Sequence, residues 1–144
     1  MLDNEAFLPF GERTRAMFKV IGYVPTPAQL GPLASPARYI VLYGGIQSGK
    51  SIVASKKVLK EFVPDLRKAL AKAERDNVPL KNVLPIIYWL VGGDYDACER
   101  EFRYVESDFA ALGLLRRHVK RIYPGVVEII GGELGTTVLA QIKT

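Results

Sequence analysis

The sequence is poor in the residues that carry most side-chain chemistry. Its 144 residues include one cysteine, one histidine and one tryptophan. A lone Cys98 excludes an intrachain disulfide and points to a reducing compartment. His118 has no second candidate ligand and no serine or cysteine partner at a telling spacing, so it is assigned no role. Long hydrophobic runs are also missing: the longest, residues 83–91, is far too short to span a bilayer. The opening residues Met1-Leu2-Asp3-Asn4-Glu5 lack a basic stretch followed by an apolar one, which argues against a signal peptide. No internal repeat or low-complexity segment is found. The expectation is a soluble, intracellular chain.

What is present is globular in character. With 49% hydrophobic and 24% charged residues, the composition fits one ordinary domain or part of a larger one. The formal charge of +5 suits an anionic partner, although solubility alone would account for it.

The chain is organised around residues 39–62. Gly44, Gly45, Ile46, Gln47, Ser48, Gly49, Lys50 and Ser51 match G-x-x-x-x-G-K-[ST] at every fixed position. Ahead of them, residues 39–43 are apolar and β-rich and read as a buried strand. Behind them, Ile52, Leu59, Phe62 and Val63 recur at helical intervals. Strand, glycine loop and helix together make a phosphate-binding loop. Glycines let backbone N–H groups converge on phosphate oxygens, and the helix start adds unpaired N–H groups and the positive end of its dipole. Lys50 reaches the terminal phosphates as the catalytic cation, and the Ser51 hydroxyl ligates Mg²⁺.

Elsewhere the reading is coarser. Residues 1–22 form an N-terminal arm in which Phe7, Leu8, Phe10, Met17, Phe18 and Val20 can pack on the body; residues 23–144 form a partial ATPase domain. Pro25, Pro27, Pro32 and Pro36 exclude a long helix and suggest an extended connector on the adenine side of a nucleotide. Gln29 lies in it, with an amide able to offer a donor and an acceptor, or simply to face solvent. Pro64-Asp65 is expected to interrupt the helix after the loop. From Lys50 to Asp76 the chain nets +4, a solvated face or a nucleic-acid contact.

Residues 86–91 read as a second buried strand, joined to the first by a parallel βαβ crossover. Asp94 suits a helix N-cap better than a metal-side carboxylate, because Gly92 and Gly93 separate it from the strand. Cys98, Phe102, Val105, Phe109 and Leu112 step by 4, 3, 4 and 3, and Gly113 marks the helix end. Residues 116–121 place four positive charges in a loop-like stretch, either solvated or against a phosphate backbone. Residues 126–142 read as a β-hairpin around Gly131-Gly132. The expected architecture is α/β: a P-loop NTPase three-layer sandwich with a mostly parallel sheet, helices on both faces, truncated before the Walker B strand.

Several of these stretches, in order, resemble the ATPase part of tailed-phage terminase large subunits. They are Pro25-Thr26-Pro27-Ala28-Gln29, Gly44 to Ser51, Leu90-Val91-Gly92-Gly93-Asp94-Tyr95-Asp96 with Phe102, and the closing strand-Gly-Gly-strand that ends at Ile142-Lys143-Thr144. The likeness covers about residues 23–144. It implies the ATP-binding portion of a viral DNA-packaging motor in the host cytoplasm. ATP and Mg²⁺ would be bound by Gly44 to Ser51, with Gln29 near adenine. Double-stranded DNA, a portal, a small terminase subunit and further copies of the chain are the implied partners. The family's Walker B aspartate, catalytic glutamate and nuclease carboxylates have no counterpart here. The chain is therefore expected to be an N-terminal fragment that binds nucleotide and hydrolyses it poorly. Ile46 and Gln47 stand where some relatives carry an arginine, so an arginine finger would come from Arg100, Arg103 or a neighbouring subunit. Two other readings stay open: another P-loop ATPase or small kinase using Asp94, and a non-catalytic nucleic-acid or assembly module.

Overall fold

The computed structural model describes residues 9–43, 45, 49–91, 95–119, 126–131 and 137–143, with only the backbone described at 95–97, 118 and 119. Phe7, Leu8, Gly92, Gly93, Asp94, Lys120 and Arg121, which carry expectations above, lie outside these residues. In chain order the elements are α1 (Glu12–Val20), α2 (Pro27–Ala34), α3 (Lys50–Arg75), a 3-10 turn (Leu80–Asn82), β1 (Ile86–Trp89), α4 (Tyr95–Ala111), β2 (Arg117–Val119), β3 (Val126–Gly131) and β4 (Thr137–Lys143).

The helices stop where local chemistry tells them to. At the end of α4, Gly113 takes φ +67°, and the Leu114 and Gly113 amides donate to the Phe109 and Ala110 carbonyls. That is a Schellman stop, which satisfies two carbonyls that the helix leaves over. The same device closes α3, where Asn77 takes φ 55° and the Val78 amide donates to Ala73. The connector ahead of the loop differs from the extended form expected for it. Pro27 opens the eight-residue α2, since a first-turn proline has no N–H to lose and its φ is already helical.

Pro64 does not interrupt α3, which runs for 26 residues through it. An internal proline costs about 3 kcal/mol through the missing N–H and the clash one turn back. Leu59, Phe62 and Leu66, on either side of it, are buried in one cluster. Burial of each such side chain contributes about 1.5–3 kcal/mol, so the stripe outweighs the proline.

Among the described residues the sheet has four strands in the order β1-β4-β3-β2. β3 and β4 form the expected hairpin, with Val127 opposite Ile142 and Glu128 opposite Gln141. β2 pairs antiparallel with β3, so residues 117–119 are strand where a loop was expected. β1 lies parallel to β4, with Ile86 opposite Ala140 and Tyr88 opposite Ile142. This overturns the three-layer P-loop NTPase sandwich with its mostly parallel sheet: one parallel pair stands beside two antiparallel ones. The cause is local. A short connection forces antiparallel pairing on β3 and β4, and it is β4 that β1 finds as its neighbour. Residues 39–43, expected as the first parallel strand, belong to no strand, and Tyr39, Val41 and Tyr43 are exposed.

The main core lies on one sheet face. Leu59, Phe62 and Leu66 of α3 meet Phe102, Val105 and Phe109 of α4 over Val127, Ile129, Ala140 and Ile142. On the other face Gln141 donates to Glu128 at 2.6 Å, and Arg117 lies 3.3 Å from the same carboxylate. A smaller cluster of Phe10, Phe18, Leu33 and Val53 ties α1 and α2 to the first turns of α3.

Candidate functional site

The start of α3 carries Gly49, Lys50 and Ser51 of the motif. Gly49 is its N-cap, at φ +79°, a left-handed conformation that disfavours any other residue. The Val53 amide donates to the Gly49 carbonyl at 3.0 Å, closing the first turn. No acidic side chain stands in that turn, and no side chain caps it. Lys50 folds back so that Nζ donates to the Gly45 carbonyl at 2.6 Å. Ser51 follows, half-buried, in the same turn. Gly44, Ile46, Gln47 and Ser48, the remaining loop residues of the motif, lie outside the described residues.

Gln29 reaches this point from twenty positions upstream. It sits in the first turn of α2, which runs alongside the start of α3. A Cβ added to Gly49 would lie 2.8 Å from Gln29 Nε2, so glycine is what allows the carboxamide to approach. The amide's orientation follows from its partners. Oε1 accepts from the Thr26 backbone amide at 2.9 Å and from the Tyr23 hydroxyl at 3.0 Å. A backbone N–H can only donate, so the atom facing it is the oxygen, and nitrogen is turned toward Gly49. The other end of α2 is held by α3 as well. Lys57 donates to the Ser35 carbonyl at 2.6 Å and Lys60 to the Leu33 carbonyl at 2.9 Å, cations meeting the negative end of a helix. Part of the basic segment is therefore used internally rather than offered to solvent or nucleic acid.

Behind Gln29 lies a buried pair that sequence reasoning missed. Lys56 and Asp108 are each almost fully buried, and Lys56 Nζ bonds both carboxylate oxygens at 2.6 and 2.7 Å. The ammonium also stands 5.4 Å from the centre of the Tyr23 ring and 5.9 Å from that of Tyr104. Burial raises the Asp108 pKa, and the bond to Lys56 partly offsets that rise. Burial also pushes the Tyr23 hydroxyl up to about 12, so it stays protonated and donating throughout the neutral range. A chain of contacts thus runs from Asp108 on α4 through Lys56 and Tyr23 to Gln29 and Gly49. A signal for it was present: Lys56 stands four residues after Ile52 and three before Leu59, a charge on the apolar stripe.

An open cleft of about 760 Å³ lies farther along α3, between Arg38, Ile40, Lys57, Glu61, Asp65 and Tyr88. Gln29, Gly49 and Lys50 do not line it. Among the described residues no group of three or more His, Cys, Asp or Glu side chains could hold a metal ion. No helix among them is long and apolar enough to cross a membrane. Comparison of the chain with family models, with curated proteins and with solved structures finds no match.

Proposed function

We propose that the start of α3 binds the polyphosphate of a nucleoside triphosphate, as the ATP-binding portion of a viral DNA-packaging motor. One observation carries the reading: Gln29, twenty positions upstream and singled out apart from the loop motif, reaches Gly49, beside Lys50, at a helix start whose first turn holds no acid. The chemistry is that of an anion site, with a glycine in the left-handed region, a helix dipole and an ammonium folded back to the Gly45 carbonyl. The packaging role rests on the order of motifs, not on the sheet, whose mixed pairing departs from the parallel arrangement expected of such a motor.

Mg²⁺ fits the residues present only as a companion of the phosphates. It keeps most of its waters and needs few protein oxygens, and the Ser51 hydroxyl would be one of them. Bound there, the ion would neutralise phosphate charge. Double-stranded DNA, a portal, a small terminase subunit and further copies of the chain belong to the same proposal, through the resemblance alone.

The test is ATP binding by calorimetry, with Lys50→Ala as the control. Loss of the ammonium is expected to weaken binding by about tenfold or more, the scale of one charge-assisted contact. A second reading, a non-catalytic assembly module, is favoured by the exposed Tyr39, Val41, Tyr43, Ile87, Trp89 and Val91. Equal nucleotide affinity in wild type and Lys50→Ala would select it.

A further inference from the structure

We infer that Gln29 acts at this site as a donor-only contact to the polyphosphate, held in that polarity by Tyr23 and Thr26, and that it does not read the base. The inference rests on the nucleotide reading above. A carboxamide oxygen has two lone pairs, and both are engaged here, one by the Thr26 amide and one by the Tyr23 hydroxyl. What Gln29 can still present is its NH₂ group. Adenine is told from guanine by the 6-position, an amino donor in one and a carbonyl acceptor in the other. An amide whose oxygen is occupied cannot accept from the adenine amino group, so half of an adenine-selective contact is missing.

Position points the same way. Nε2 lies against Gly49, at the helix start where backbone N–H groups and Lys50 already favour negative charge. A further N–H donor there matches a phosphate oxygen. Tyr23 is the positioning residue. Its ring packs edge-on against Phe18 at 5.1 Å and lies under Lys56, so the hydroxyl is fixed from two sides. Its elevated pKa keeps the proton in place, and with it the occupancy of the Gln29 oxygen. Nucleoside triphosphates should therefore bind with little regard to base.

The experiment titrates the full chain with ATP, GTP, CTP and inorganic triphosphate. Wild type is expected to bind the three nucleotides within about threefold of one another, less than one good base contact provides. Gln29→Glu keeps an oxygen for Tyr23 and Thr26 but turns a second oxygen toward the phosphates. It should weaken all four ligands together, inorganic triphosphate included, by about tenfold or more. Tyr23→Phe keeps the ring packing and frees one lone pair, so it should weaken all four together by about two- to threefold. It carries the test alone if circular dichroism shows Gln29→Glu unfolded. A tenfold preference of wild type for ATP over GTP would overturn the inference, as would substitutions that weaken ATP and spare inorganic triphosphate. Wild type binding none of the four would remove the nucleotide reading itself and this inference with it.

Discussion

Residues 39–43 and β1 are composed alike, and the fold treats them differently. Both are short apolar runs, and both alternate between a half-buried and an exposed side. β1 finds β4: its residues pair with Ala140 through Lys143, and the Leu90 amide beyond it donates to the Lys143 carbonyl at 2.8 Å. Its inward side also finds a floor, with Tyr88 edge-on to Phe62 at 5.5 Å and bonded to Asp65 at 2.6 Å. Residues 39–43 pair with no described strand, and Tyr43 stands fully in solvent. Composition supplies the capacity to be a strand; a neighbouring edge and a surface beneath it decide whether one forms. Even β1 has this on one side only, since Ile87 and Trp89 face outward.

Three substitutions would break or sharpen that contrast. The largest effect belongs to Phe62→Ala, which removes the floor under β1 and its contact with Phe109. It should cost about 3–5 kcal/mol in urea unfolding, the range for an aromatic lost from a packed core. A cost below about 1 kcal/mol would mean that β1 is held by pairing alone.

Tyr88→Phe is smaller, about 1 kcal/mol near neutral pH for the lost bond to Asp65. It also carries a pH signature. Burial, and then the hydrogen bond to Asp65, raise the Tyr88 pKa. The folded chain therefore keeps a proton that the unfolded chain releases near pH 10. The stability this gives is complete below that pH and drains away above it. Alkaline titration of the melting temperature should fall less steeply in Tyr88→Phe than in wild type. Parallel slopes would show that the hydroxyl is not sequestered.

Tyr43→Ala should change stability least, within about 0.5 kcal/mol, because its side chain is already in water. A cost matching that of Tyr88→Phe would mean that residues 39–43 are packed after all, and the contrast would collapse.

Local signals were legible in the sequence to the extent that they were local. The α4 stripe from Cys98 to Leu112, its stop at Gly113 and the β3–β4 hairpin were readable because each is decided within a few residues. The partner of β1 was not, since choosing β4 over residues 39–43 is a comparison between segments far apart in the chain. The continuity of α3 through Pro64 was misread for a related reason: a one-residue penalty is visible locally, whereas the burial that overrides it is not. At the site, Gly49 and Lys50 were identifiable from the loop motif and Gln29 from its amide, and the structure brings Gln29 against Gly49. Tyr23 and the Lys56–Asp108 pair were not identified, because a charge in an apolar stripe names no partner until α4 has packed on α3.

The outward side of β1 has a practical consequence. Trp89 is the chain's single indole, 62% exposed, with Lys143 Nζ 5.7 Å from its ring centre. Its emission in the native state should already resemble that of a solvated chromophore, so loss of the core would shift the spectrum little. Anything that covers that edge would move the emission to the blue. The intrinsic fluorophore is thus a poor reporter of melting and a sensitive one of contact.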